Sequence, residues 1–300
     1  MSYLGEIASL FTAMCWSTNA VLFAKAGRRV GSSTVNVIRI GVALLVMILL
    51  HLAMVGSVFP VSAGWVRFAW LGVSGLIVFA LGDGLLFEAY VLLGPRLTVL
   101  IYTTWPVFAA LMAWGMLGQT MRLPKVCAMV VTLGGIALVV LEKSKALPGQ
   151  VRPRHFTLGL MLALGGAAGQ AVGFIFSKFG MAGGFSPISA NLIRVAAGAL
   201  ALWTWQTLRG ELAPNCRKLK DGHAAMLICY GALFGPVVGV VLSLYAINHA
   251  HYLGVASTLM SLSPVMILPF AVFVEKERVG VWAIVGTAIS ICGAAAMFLI

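Results

Sequence analysis

The run FALGDGLLFEAY places a carboxylate, Asp83, near the middle of an otherwise apolar stretch, with Glu88 five residues further on. A charged side chain at the centre of a membrane helix costs roughly 2.5–3.5 kcal/mol on insertion scales, so Asp83 must face a polar cavity or a partner. It either ties helices together or lines an ion or substrate path, and on the second reading it can take up and release a proton. Arg39 and Arg194 also lie inside apolar runs. Glu88 precedes the end of its run by about as many residues as Arg39 follows the start of its own. At 1.5 Å per residue both then lie about 7 Å deep, which pairs them as a salt bridge. Arg194 lacks this partner, because Ala246 stands where Glu88 stands in the first half. Its planar fork suits a substrate carboxylate or phosphate, and snorkelling to the interface is the equal alternative.

Trp16, Tyr102 and Trp105 fall within runs rather than only at their ends, where aromatic belts form. Pro106 follows Trp105, and its missing N–H kinks a helix and frees a carbonyl. Asn19, Asn36, Gln170, Asn191, Asn248, Ser261 and Ser263 are deep enough to line a cavity, and hydrogen bonds between helices explain them equally well. His249 and His251 lie near a turn and meet water. With no carboxylate or cysteine cluster beside them, no metal is expected. No nucleophile constellation or paired carboxylates at catalytic separation can be read, so no catalytic residues and no cofactor are expected.

The elements that position these groups are set by composition. Hydrophobic residues make up 61% of the chain and charged ones 9%, against about 25% charged in soluble domains. Lipid must be the solvent. The net charge of +12 lies in the gaps between apolar runs, with no basic stripe interleaved with aromatics, so nucleic acid is not a partner. The five cysteines are scattered without a C-x-x-C pair and read as small buried hydrophobes.

Runs of about 20 apolar residues cover 4–24, 34–55, 65–92, 97–118, 124–141, 157–179, 187–208, 223–247, 253–274 and 279–299. The segments 25–31, 94–96 and 148–154 read as turns. The first run has no basic leader before it and stays as a spanning helix. Fourteen of the 20 Lys and Arg residues fall on one side of this arrangement and four on the other. The positive-inside rule then puts both termini outside.

Phe87, Pro106 and Gly135 each have a counterpart 158 positions on, at Tyr245, Pro264 and Gly293. Phe23-Ala-Lys25 returns as Phe176-Ser-Lys178, and Asn36-Val-Ile-Arg39 as Asn191-Leu-Ile-Arg194. Such regularity indicates a duplication. Five spans per half make the second half enter the membrane in the opposite sense. The expected fold is an all-α membrane protein of ten transmembrane helices in two inverted five-helix repeats, residues 1–142 and 157–300, joined by a cytoplasmic linker, 143–156. Gly165, Gly169 and Gly173, and Gly231, Gly235 and Gly239, recur every four residues and leave one bare helix face each, for close packing. Gly235-Pro236 adds a hinge.

Trp16, Trp105-Pro106, Ser263-Pro264, the Tyr245-Ala-Ile-Asn-His-Ala segment and Glu275-Lys-Glu-Arg278 resemble the EamA-type carriers of the drug/metabolite transporter superfamily, over essentially the whole chain. Gln119 departs from the acidic residue usual in the first half, in the slot of Glu277. The expected function is a secondary transporter in a bacterial cytoplasmic (inner) membrane: alternating access follows from the inverted halves, a monomer from a duplicated unit that completes its own site, and export of small polar or amphipathic metabolites, amino acids first, from few deep polar groups among many aromatics. Proton coupling is open. Expected substrate-binding residues are Trp16, Asn19, Asp83, Tyr102, Trp105, Gln170, Arg194, Tyr245, Asn248 and Ser261. Structural or gating roles fall to Arg39, Glu88, Pro106, Gly235, Pro236 and Pro264. A lipophilic-cation exporter is the alternative within transport. The small multidrug resistance proteins use a glutamate in mid-span of their first helix, whereas here that span has only Glu6, near its start. An enzyme is the alternative outside transport, and a channel is disfavoured because no filter-like ring of carbonyls or charges can be read.

Overall fold

A computed structural model describes residues 3–142, 156–266 and 280–299, and every regular element among them is helical. The first half runs α1 (Leu4–Val30), α2 (Ser32–Val55), α3 (Trp65–Gly75), a π-helical segment (Leu76–Gly82), α4 (Asp83–Tyr102), α5 (Trp105–Leu117) and α6 (Leu123–Glu142). The second runs α7 (Phe156–Gly180), α8 (Pro187–Leu208), the short α9 (Leu212–Arg217), α10 (Gly222–Ala232), a second π-helical segment (Leu233–Gly239), α11 (Val240–His249), α12 (Leu253–Met260), α13 (Ser263–Met266) and α14 (Val281–Leu299). Seven helices or continuous helical stretches are long and apolar enough to cross a membrane, and Trp105–Leu117, Leu253–Met266 and Val281–Met297 are apolar but shorter. The segment Glu275–Arg278 and all but the last residue of the linker lie outside the described residues.

One boundary differs from the sequence reading, and at a second the turn is kept within a run of helical hydrogen bonds. The basic stretch after residue 24 is not a loop: α1 continues to Val30, with Arg28 and Arg29 in its last turn, where cations suit the helix dipole. The chain turns instead at Gly31, whose φ of 89° favours glycine. Helical hydrogen bonding also continues across the expected turn at 94–96. Thr98 Oγ1 nevertheless donates to the Ala89 carbonyl at 2.9 Å. Nine residues of straight helix would hold them about 13 Å apart, so the chain does double back between them.

The duplication has a structural counterpart. The two π-helical segments begin 157 positions apart, at Leu76 and Leu233. The helices that carry Pro106 and Pro264 are preceded or interrupted by breaks at matching places, 103–104 and 261–262. Proline explains both breaks, since it offers no N–H to the carbonyl four residues back. In the second half that carbonyl, of Met260, accepts from Ser263 Oγ at 3.0 Å.

Helices α6 and α14 pack reciprocally. A Cβ on Gly135 would meet the Gly286 carbonyl at 2.6 Å, and one on Gly293 would meet the carbonyl of Ala128, the residue matching Gly286, at 3.0 Å. Gly135 also faces Ser290, and Gly293 faces Thr132, Ser290's match. Contact of i with j and of j's match with i's match is the signature of a two-fold axis. Partners run down one helix as they run up the other, so α6 and α14 are antiparallel and their local axis lies across them.

The glycine faces receive helices as expected. Gly231, Gly235 and Gly239 lie against Phe23, Asn19 and Trp16 of α1, and Gly169 and Gly173 lie against Ile77 and Val78. The cysteines depart from expectation: Cys127, Cys216, Cys229 and Cys292 are exposed and Cys15 half-buried. Cys127, Cys229 and Cys292 lie on outer faces of apolar helices, where a thiol has lipid rather than protein for a neighbour, and Cys216 lies on the short α9 beside Arg217.

The end of the bundle where α1 begins is tightly joined, and will be called the near end. Gly5 packs directly on the Ala250 backbone. His251 Nδ1 lies 3.5 Å from the buried Glu6 carboxylate. Gln119 Oε1, in the slot of the missing acidic residue, accepts from the Leu253 amide at 3.1 Å. At the far end Arg29 pairs with Asp221 at 2.9 Å. Asp221 also caps α10 through the Ala224 amide, and the Arg29 hydrogen bond foremost holds its carboxyl below the usual range.

Candidate functional site

The carboxylate that meets Arg39 is Asp83, not Glu88. Arg39 Nη2 donates to Asp83 Oδ2, while Glu88 is exposed further along α4. The expected pairing took depth alone into account. Asp83 and Glu88 lie five residues apart on α4, and of the two Asp83 is the part-buried one. Arg39 Nε donates to Asn36 Oδ1 at 2.9 Å, and its guanidinium stands over Phe23 at 5.7 Å. The Arg39 and Asp83 side chains remain 13% and 20% exposed, respectively. A hydrogen-bonded charge pair between two spans, neither side chain wholly covered by protein, marks a polar point inside the bundle.

Arg194 occupies the matching place in the second half and is only 1% exposed. Its Nε donates to Ser74 Oγ at 3.0 Å, and its guanidinium lies 5.5 Å from the Phe79 ring and 5.9 Å from the Phe174 ring. The snorkelling alternative is thereby overturned. Two ring faces offset part of the cost of desolvating the cation, about 2 kcal/mol or more for a good stack. Asn191, one turn earlier, donates through Nδ2 to the carbonyl of Pro236, inside the second π-helical segment, at 2.8 Å.

The aromatics join this group. Trp105, 2% exposed, has its ring centroid 5.4 Å from Phe174 and 6.4 Å from Trp16. Rings of α1, α5 and α7 thus run in contact from Trp16 to the guanidinium of α8. Trp16 fits because Gly239 has no Cβ, which would come within 2.9 Å of the indole. Asn19 fits against Gly235 in the same way. Tyr102 is half-buried against the main core. Gln170 is half-buried one turn before Phe174 on α7, so both share a helix face.

Other expected site residues are placed elsewhere. Tyr245 stacks on His249, centroids 3.9 Å apart, and Asn248 is half-buried nearby at the end of α11. Among the described residues no hydrogen bond or ring contact joins either to Arg194 or Asp83. Ser261 is buried, and its hydroxyl donates to the Ser257 carbonyl at 3.1 Å. Pro106 and Pro264 stand at the helix breaks, and Gly235 and Pro236 lie in the π-helical segment. Ser74, Phe79 and Phe174 were not singled out in the sequence. Phe174 had one signal, its place a turn after Gln170; Ser74 and Phe79 had only their nearness to Asp83. No group of three or more metal-ligating side chains occurs among the described residues.

An apolar bundle of helices long enough to span a membrane, with an ion pair and an arginine inside it, defines the class: an integral multi-pass membrane protein. The profile of the EamA-like transporter family matches residues 3–141 and again 157–299, and the chain belongs to that family, within the drug/metabolite transporter superfamily. A small-molecule substrate and a transporter's activity follow from membership. No curated protein matches the chain. Among 28 matching chains of solved structures, one crystal structure, whose name says nothing of its activity, is 18% identical. It aligns over 100% of this chain and 98% of its own with a TM-score of 0.76, a likeness of fold alone.

Proposed function

We propose that the chain is a secondary carrier that exports small polar or amphipathic metabolites, amino acids first, by alternating access. Its ten spans form two oppositely inserted repeats, 1–142 and 157–300, with a cytoplasmic linker at 143–156, both termini outside, in a bacterial cytoplasmic membrane. It works as a monomer, since a duplicated unit completes its own two-fold site. The observation that carries this reading is the Arg39–Asp83 pair: two opposite charges deep in a span, hydrogen-bonded yet partly open.

The lipophilic-cation alternative needs a carboxylate free to meet the cation. Asp83 is already held by Arg39, so a zwitterion, which can engage both members of such a pair, is the better match. The test is counterflow in proteoliposomes of the purified chain. Saturable exchange of a labelled amino acid against unlabelled amino acid is the expected result. Non-saturable flux or none across an amino-acid panel overturns the reading, and exchange confined to lipophilic cations selects the alternative.

A further inference from the structure

The two halves carry the same Asn-x-x-Arg pair, in different states. In the first, Asn36 Oδ1 accepts from Arg39 Nε and Asp83 accepts from Arg39 Nη2, so the guanidinium finds partners within the protein. In the second, Asn191 has turned its Nδ2 to the carbonyl of Pro236. Arg194 Nη1 and Asn191 Oδ1 are both buried without a hydrogen-bond partner among the described residues. One is a cationic donor and the other a neutral acceptor. They lie three residues apart on α8, on one helix face. Leaving such groups unmade costs each its full desolvation penalty, so native proteins rarely tolerate two together without a use.

We infer that Asn191 and Arg194 form a subsite for an amino-acid-like zwitterion, the carboxylate on Arg194 Nη1 and the ammonium on Asn191 Oδ1. The rings of Phe79, Phe174 and Trp105 beside it suit an aromatic or bulky apolar side chain. The inference rests on the carrier reading for its route of access. In an inverted repeat the halves exchange conformations, so the partial opening seen at Arg39 passes to Arg194 in the other state of the cycle. No acidic residue need be supplied by the second half, because the ligand brings the carboxylate that Asp83 provides in the first.

Three probes sharing one ring separate the contributions: L-phenylalanine, 3-phenylpropionate and L-phenylalaninamide, titrated into the detergent-purified full chain with thermal shift as the readout. The zwitterion should bind at least about tenfold more tightly than either single-charge probe, the scale of one charge-assisted hydrogen bond. Arg194→Gln should weaken L-phenylalanine and 3-phenylpropionate by about tenfold or more and leave L-phenylalaninamide unchanged. Asn191→Leu should erase the preference for L-phenylalanine over 3-phenylpropionate. If L-phenylalaninamide binds as well as L-phenylalanine, or none of the three shifts the wild-type chain, the subsite is overturned. Should Arg194→Gln fail to fold, the three-probe comparison on the wild-type chain decides alone. Binding with this pattern but no counterflow would overturn the carrier reading and leave the subsite in place.

Discussion

At the residue scale the first half of the site is a matched charge pair and the second is not. Removing the Asp83 charge should therefore act through Arg39, which would keep a buried cation without its carboxylate. A buried pair broken on one side costs about 3–5 kcal/mol in proteins generally, and partial exposure reduces that here. Asp83→Asn should lower counterflow at least about tenfold and abolish any dependence of uptake on external pH, while Asp83→Glu recovers part of the rate. An Asp83→Asn chain with a wild-type rate and pH profile would show that the pair only joins helices. The sequence made Asp83, Arg39 and Arg194 visible because a charge in an apolar run is costly wherever it points. It misdirected the pairing, because depth counted from run ends ignores which side of the helix a carboxylate takes: Asp83 is part-buried against Arg39, and Glu88 is exposed. Ser74, Phe79 and Phe174 stayed hidden for the opposite reason: serine and phenylalanine are ordinary in a membrane helix, and only the neighbouring guanidinium gives them meaning.

At the element scale the glycine faces explain how α1 reaches the second half. Spacing of four residues announced both faces in the sequence, but which helix each would receive depends on the packing of the whole bundle. Trp16 and Asn19 reach their places only because Gly239 and Gly235 have no side chain. Gly239→Leu should displace the indole and destabilise the fold by about 1–3 kcal/mol, the usual cost of overpacking. Gly134→Ala is the control: nothing lies within 4 Å of the added carbon, and alanine favours helix over glycine by up to about 1 kcal/mol. Thermal unfolding of the two variants in detergent should move in opposite directions. Equal shifts would mean that the α1 contact is slack. The helix breaks at 103–104 and 261–262 were also legible, since proline leaves a mark in any sequence. The π-helical segments were not, because no residue type encodes them.

At the scale of the molecule the duplication is the organising fact. A constant offset in the sequence showed that two halves exist. The reciprocal, antiparallel packing of α6 on α14 adds an axis lying across the helices, the element a mechanism of exchange needs. The halves are unequal in chemistry, one holding a carboxylate for its arginine and the other leaving its arginine's Nη1 without a hydrogen bond among the described residues. This inequality gives a substrate something to bind that symmetry alone would not. Alternating access then demands that the joined near end, where Glu6 meets His251 and Gly5 lies on Ala250, part once in every cycle.

That demand can be measured directly. In a background lacking the five native cysteines, Glu6→Cys and His251→Cys are joined by a short, reducible thiol cross-linker, and counterflow is followed before and after reduction. Two halves that rock about a central site predict exchange lost on cross-linking and restored by reductant. Exchange at the uncross-linked rate with the bridge intact would contradict that mechanism.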